Sequence, residues 1–399
     1  MNSVATRDPL TVEDHGSPFD TGKLDRLMEE AGIDLLLATS KHNVQYLLGG
    51  HRSDFFHFMD ALGSSRYLPV FIYAKGRPDA TAYIGHQLER HQRQVSPFWT
   101  PVSSVSPSGV EDALKEAIEY VRKAGLPVGR VGVETAFLPM NAARILADAF
   151  PDATFQDALF PLERLRAIKT PREIALLRTA SQKVIASMMA TVAAIAEGMT
   201  KEEIIQHLRM EEVGRGLTFE YCFLSIGSSL NRAPSAQALK KGDILSIDSG
   251  GNERGYIGDL ARMAVLGEPD DELVGLLDEV EAVQQSAFAV VRPGVTGDDI
   301  YRIAEARLHA SPIAPDAHFL AHGMGLISHE APRLTGHGPI PYEGYDAARP
   351  LEAGMVISVE TTLAHPKRGL VKLEDSLVVT DSGYEFLGEG GRGWNRVGS

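Results

Sequence analysis

Two stretches in the second half of the chain repeat each other, in the same order, and this constrains the fold more than any other feature. Gly198–Ile204 (GMTKEEI) matches Gly294–Ile300 (GVTGDDI). Each reads as a helix-ending glycine followed by a capping box that starts a new helix. Downstream of the first copy lies Gly242–Asp248 (GDILSID), and downstream of the second lies Gly354–Glu360 (GMVISVE). Each is a glycine, an apolar strand with serine at the same place, and a carboxylate at its end. One such match is within the reach of chance. Two in the same order point to a duplicated helix–helix–strand unit. A pseudo-twofold of that kind brings Asp248 and Glu360 to equivalent places on a shared sheet.

The carboxylates carry the chemistry. After Asp248, the turn-rich stretch Ser249–Gly255 leads into a second strand, Tyr256 to Leu266, which is a hairpin pattern. A turn centred between Glu253 and Arg254 makes Asp248 and Asp259 cross-strand partners. Opposed like charges destabilise such a pair, and buried carboxylates are costly without a counter-charge. A divalent cation is the simplest remedy. The second half repeats the design: Glu360 ends one strand and Glu374 lies on the next, within the apolar run Val371–Val379. Between them, His322 sits in Ala321–Gly325 (AHGMG), where glycines let the backbone crowd a site. A lone aspartate at a hairpin is ordinarily a turn residue, and a lone histidine is ordinarily structural. Joint placement on matching strands lifts these five, and four carboxylates with one imidazole suit two divalent ions such as Mn, Co, Zn or Fe.

At 399 residues the chain is too long for one ordinary core. Residues 1–20 read as an arm. Residues 21–163, where helical and strand signals alternate, read as an α/β domain without a glycine-rich phosphate loop. Residues 164–399 read as the second domain, opened by Thr170–Glu173 (TPRE), a capping box with proline at the first helical position. The formal charge of -14 excludes a nucleic-acid partner and does not favour anionic membranes. No apolar run approaches the roughly 20 residues of a membrane span. The single cysteine, Cys222, reads as a small core residue. With no intramolecular disulfide possible and no apolar leader, a cytoplasmic address is expected.

The run GDILSIDSGGNERGYIGDLAR (242–262) resembles the first metal segment of prolidases, aminopeptidases P and methionine aminopeptidases. HGMGLISHEAP (322–332) resembles their histidine segment, and Glu360 with KLED (372–375) their last two. LERLRAIKTPREIALLRTA (162–180) resembles the linker and opening helix of the same aminopeptidase P/prolidase/creatinase group, and Asn43–Leu47 matches more loosely. The resemblance implies an α/β creatinase-like N-terminal domain and an α+β "pita-bread" C-terminal domain. It implies that Asp259 and Glu374 bridge two metals, that Asp248 completes one shell, and that His322 and Glu360 complete the other. Glu360 then shuttles the proton of a metal-activated water, His329 steadies the oxyanion, and His318 lines the leaving-group side. It also implies a homodimer, in which residues around His51 to His57 approach the partner's site, and a short peptide or small amide as substrate.

The sequence also departs from the family. Asn231 stands seventeen residues before Asp248, where peptide-cleaving members carry a histidine, and Lys372 stands where arginine is favoured. Glu360 is followed by Thr361 and Thr362 rather than Pro-Gly, and the Gly- and Pro-rich segment before it is long. These changes spare the metal shell and alter the pocket wall. His337, Glu343 and His365 match no motif and read as structural or peripheral. Three readings stay open: hydrolysis of a dipeptide or short Xaa-Pro peptide, metal-dependent hydrolysis or lysis of a small non-peptide substrate, and a binding module without catalysis.

Overall fold

The computed structural model describes residues 17–53, 66–337 and 343–398. The chain forms two compact units that part between Arg166 and Ala167. On either side of that point the polar side chains face their own unit. Arg166 donates to the Asn43 side chain, whereas Lys169 donates to Glu330 at 3.1 Å.

The first unit is a mixed sheet of β1 (Leu35–Ala38), β2 (Val70–Ala74), β3 (Ala82–Ile84), β4 (Val102–Ser104), β5 (Arg130–Val133) and β6 (Thr154–Asp157). Their order is β4-β3-β2-β1-β5-β6. The continuous apolar runs of β1 and β2 are buried on both faces, which is what a helix-covered sheet requires. The helix Val110–Lys123 buries Val110, Ala113, Leu114, Ala117, Ile118 and Val121, spaced by three and four residues, as the sequence pattern anticipates. Residues 1–16 of the expected arm and 54–57 of the expected partner-facing stretch lie outside the described residues. His51 is turned into its own unit. Its Nε2 lies 3.1 Å from the buried Glu89, and its ring packs edge-on against Phe98.

The second unit realises the duplication. Its first half runs through the helices Pro171–Ala194 and Lys201–Gly214, then β7 (Thr218–Ile226), β8 (Ile244–Glu253) and β9 (Tyr256–Val265). Its second half runs through the helices Asp271–Phe288 and Gly297–His309, then β10 (Ala317–Gly323), β11 (Val356–His365) and β12 (Gly369–Val379). Thr170, Thr200 and Thr296 all cap their helices as capping boxes. The sheet order β10-β11-β12-β9-β8-β7 is the same three-strand unit written twice, head to head. Two short strands, β13 (Tyr384–Phe386) and β14 (Asn395–Arg396), flank it. Helices cover one face, with Leu245, Ile247 and Leu260 packing on the helix Pro171–Ala194. No helix among the described residues is long and apolar enough to cross a membrane.

Two expectations are corrected. Asp248 and Glu360 do not end their strands; each strand runs on for five further residues. Ser249, Gly250 and Gly251 belong to β8 and not to a turn. Gly250 is glycine because a Cβ there would lie 2.4 Å from the Tyr221 ring. The turn is therefore short, with Arg254 (φ 52) and Gly255 (φ 103) as its two central residues, both left-handed. This shifts the register. Asp248 pairs with Ala261, and Asp259 pairs with Gly250. The two aspartates are diagonal rather than direct neighbours on one face.

Beneath the sheet, Arg262 is fully buried. It donates to Asp375 at 2.7 Å and to the carbonyls of Glu374 at 2.8 Å and Gly390 at 2.7 Å. Arg262→Met removes the donor from Asp375 Oδ1 and from both carbonyls and is expected to cost about 3 kcal/mol by urea denaturation. Glu212 is also buried; it accepts from Ser249 Oγ at 2.8 Å, and its other oxygen has no partner among the described residues. Burial pushes its carboxyl up to about 7. A folded pKa above the unfolded value gives stability that is full below about pH 4.5 and is lost as pH rises through about 7. Glu212→Gln should match wild type at about pH 4 and exceed it by about 3 kcal/mol at about pH 8.

Candidate metal centre

One row of paired residues crosses the sheet: Leu320, Glu360, Glu374, Ala261, Asp248 and Phe223. Paired residues point to the same face, so three carboxylates emerge together, opposite the helices. Asp259 and Lys372 lie two residues along from this row on the same face, and His322 joins it through its pairing with Ser358. All five sequence-predicted metal-ligating residues therefore share one region, and each is nearly closed to solvent, with exposures of 1–6%. A cavity of about 520 Å³ opens over the four carboxylates. That volume is within the usual range for small-ligand sites.

Within this group, one corner is shaped for a cation. Ligand atoms of Asp259, His322 and Glu374 all lie within 4.8 Å of one another. His322 Nδ1 is 3.2 Å from the Gly323 carbonyl oxygen. That oxygen can only accept, so Nδ1 carries the hydrogen and Nε2 presents its lone pair. Both His322 Nε2 and Asp259 Oδ1 are buried without a hydrogen-bond partner among the described residues. Buried polar atoms without partners are uncommon, and a divalent ion satisfies both. Burial first, and then the neighbouring Glu374 and Asp248, push the Asp259 carboxyl well above the usual carboxylate range. Burial acts in the same sense on Glu374, but Lys372 and His322 outweigh it and hold that group low. Ser358 Oγ fixes Glu374 Oε1 at 2.9 Å. The residues present thus fit one divalent ion.

The other corner is already filled by side chains. Lys372 Nζ is 2.6 Å from Asp248 Oδ2 and 2.9 Å from Glu374 Oε2, and it also contacts Glu360 Oε2. Arg232 makes a second ion pair with Asp248 Oδ2, its guanidinium 4.7 Å from the centre of the Phe223 ring. The sequence reading missed Arg232 and gave its attention to Asn231. The Asn231 side chain is spent locally, accepting from the Ala233 amide at 3.0 Å, while Arg232 lines the cavity. An arginine beside a turn of small polar residues carries no signal of its own, so only the fold discloses it.

His329 lines the cavity, with its ring stacked on His322 at 3.8 Å between centroids. Burial, then the adjacent His322, lower its pKa to about 3, so the ring is neutral. His318 faces the same cavity from β10. Partial cover, then the cations Lys372 and Arg232, lower its pKa. Tyr221 also lines the cavity, its phenol pushed up by burial and then by Asp259 and Asp248. Burial likewise raises the Cys222 thiol, which fits a core residue rather than a nucleophile. His365 is a turn element: its Nδ1 accepts the amides of Lys367 and Arg368 between β11 and β12.

A polar layer on the helix side steadies the strands. Gln284 is fully buried and donates to the carbonyls of Val359 at 2.8 Å and Leu373 at 2.9 Å, each one residue before a carboxylate of the site. Arg392 links Gln284 to Asp375, and Asp375 in turn holds Arg262. The one available signal for this layer was that Arg262 and Asp375 are further charged residues in strands otherwise largely apolar.

Comparison with known proteins agrees with this geometry. Residues 175–381 match the model of metallopeptidase family M24, and residues 21–168 match that of the creatinase/prolidase N-terminal domain. The chain is 24% identical over 373 residues to the uncharacterized peptidase YqhT of Bacillus subtilis, covering 92% of this chain and 96% of that one. It is 28% identical over 307 residues to the uncharacterized peptidase SSP1059 of Staphylococcus saprophyticus, covering 75% and 83%. Among solved structures, its fold is similar to that of a Xaa-Pro dipeptidase from Bacillus anthracis (TM-score 0.78, 24% identity, 94% of this chain and 99% of that one). It is also similar to that of a dipeptidase from Pyrococcus horikoshii (TM-score 0.80, 23% identity, 94% and 99%). With its pita-bread catalytic half preceded by a creatinase/prolidase N-terminal domain, the chain belongs to metallopeptidase family M24.

Proposed function

We propose that this metallopeptidase cleaves an amide bond in dipeptides or short peptides, with Xaa-Pro dipeptides as the leading substrate class. The observation that carries the reading is the cradle of Asp259, His322 and Glu374, two of whose buried donor atoms have no hydrogen-bond partner among the described residues, beside a cavity of peptide size that Asp259 and Glu374 line. When bound there, a divalent ion would polarise the scissile carbonyl and bring the pKa of a water to about 7.

The chain's own side chains would do the rest. Glu360 faces the cavity beside this cradle, and burial raises its carboxyl, so it can hold a proton between two acceptors. It would take the proton from the attacking water and deliver it to the leaving nitrogen. His329, neutral as it stands, would donate an N–H to the developing oxyanion without first losing a charge. His318, on the same wall, would line the leaving-group side. A second ion with its shell completed by Asp248, expected from the sequence, does not fit the donors as placed, because Lys372 and Arg232 are already on Asp248.

A second reading, a small non-peptide amide, is favoured by one observation: Arg232 lines the cavity next to Asn231, the position at which the family resemblance places a histidine, and a guanidinium suits a compact anionic substrate. Homodimerisation and a cytoplasmic location belong to the same proposal, the latter supported by the single Cys222.

Metal-depleted protein is expected to release proline from Xaa-Pro dipeptides only after a divalent metal is restored. Failure on every dipeptide at full metal loading would reject the peptide reading. Glu360→Gln should lower kcat by about 100-fold or more with metal content unchanged, as removal of a proton shuttle requires. His322→Ala should lose the bound metal as well as the activity, measured by elemental analysis.

A further inference from the structure

We propose that Lys372 is a built-in cation of this centre: its ammonium takes the place of a second dication, and the chain binds a single divalent ion at Asp259, His322 and Glu374. The inference rests on the reading that this cradle holds metal, and it adds the number of ions and the reason for it.

Three independent observations carry it. The first is how hydrogen bonds divide the donor set. Asp259 Oδ1 and His322 Nε2 have no partner among the described residues. Asp248, which would complete the shell of a second ion, contacts Lys372 and receives Arg232 on Oδ2, and Glu360 also contacts Lys372. The unmet need for a cation is thus confined to one corner.

The second is the pseudo-twofold. The row Phe223–Asp248–Ala261 in the first half corresponds to Leu320–Glu360–Glu374 in the second. One step along, the pair Gly250–Asp259 corresponds to Thr362–Lys372. Lys372 therefore stands where the duplicated unit places Asp259 in its other copy. One copy offers a carboxylate to a cation, and the other supplies the cation from the chain. A lysine ammonium is a compact point charge, closer in shape to a metal ion than a planar guanidinium is.

The third is charge. Asp248, Asp259, Glu360 and Glu374 bring four negative charges, and Lys372 with Arg232 returns two. The remainder is the charge of one dication. Lys372 is 5% exposed, and the cavity wall beside it is formed by Thr362, Ala364 and Leu370, which offer no carboxylate.

The test uses the full chain, stripped of metal by chelation and dialysed against MnCl2. The bound metal-to-protein ratio is then measured by elemental analysis and the spin coupling by EPR. One Mn per chain with an uncoupled spectrum is expected for wild type. For Lys372→Met and Lys372→Gln the ratio should double to two, with exchange-coupled ions. Two coupled ions in wild type would overturn the role of Lys372 and leave the metal reading standing. No bound ion in wild type would overturn both. Folded variants that still take one ion would also overturn the proposal, and the wild-type ratio decides it even if neither variant folds.

Discussion

Four carboxylates that share one sheet face and are almost withdrawn from water must be neutralised, and much of this molecule is arranged around that requirement. A buried, unpaired carboxylate is far costlier than any single strand contact is stabilising. Asp248, Asp259, Glu360 and Glu374 would repel one another at their cross-strand and diagonal spacings if nothing positive stood between them. Lys372 and Arg232 answer part of that repulsion directly. The part left over is concentrated where Asp259 and His322 point buried atoms at the same small volume.

Duplication explains how such a costly cluster can be assembled. Each half supplies two capped helices and three antiparallel strands, and the halves meet along β9 and β12. The carboxylates on the two middle strands are thereby brought to one row. The helix side is held by Arg262, Asp375, Arg392 and Gln284, whose hydrogen bonds end on backbone at or next to the site carboxylates. The metal face and the polar layer beneath it are two sides of the same strands. A change in one is transmitted to the other through about one pleat of backbone.

Much of this was legible in the sequence, because it depended on local periodicity and on repetition. The capping boxes at Thr170, Thr200 and Thr296 and the apolar stripe of Val110–Lys123 are written in consecutive residues. So is the gathering of Asp248, Asp259, His322, Glu360 and Glu374, once the repeat is seen. What was misread depended on contacts distant in sequence. Ser249–Gly251 looks like a turn until Tyr221 is known to lie across Gly250. Arg254 gave no hint of a left-handed conformation, so the hairpin register was off by one pairing step. Lys372 looked like a substitute for arginine, and only the fold shows it among three carboxylates. Arg232 was hidden behind Asn231 for the same reason.

The central claim is that one cation-shaped corner, at Asp259, His322 and Glu374, organises the site. Anomalous diffraction from crystals of the full chain grown with MnCl2 tests it most directly. The account predicts an anomalous peak within bonding distance of His322 Nε2, Asp259 and Glu374, with Lys372 Nζ still seated on Asp248 and Glu360. A map with no peak at those three side chains, or with manganese bound only elsewhere, would contradict it.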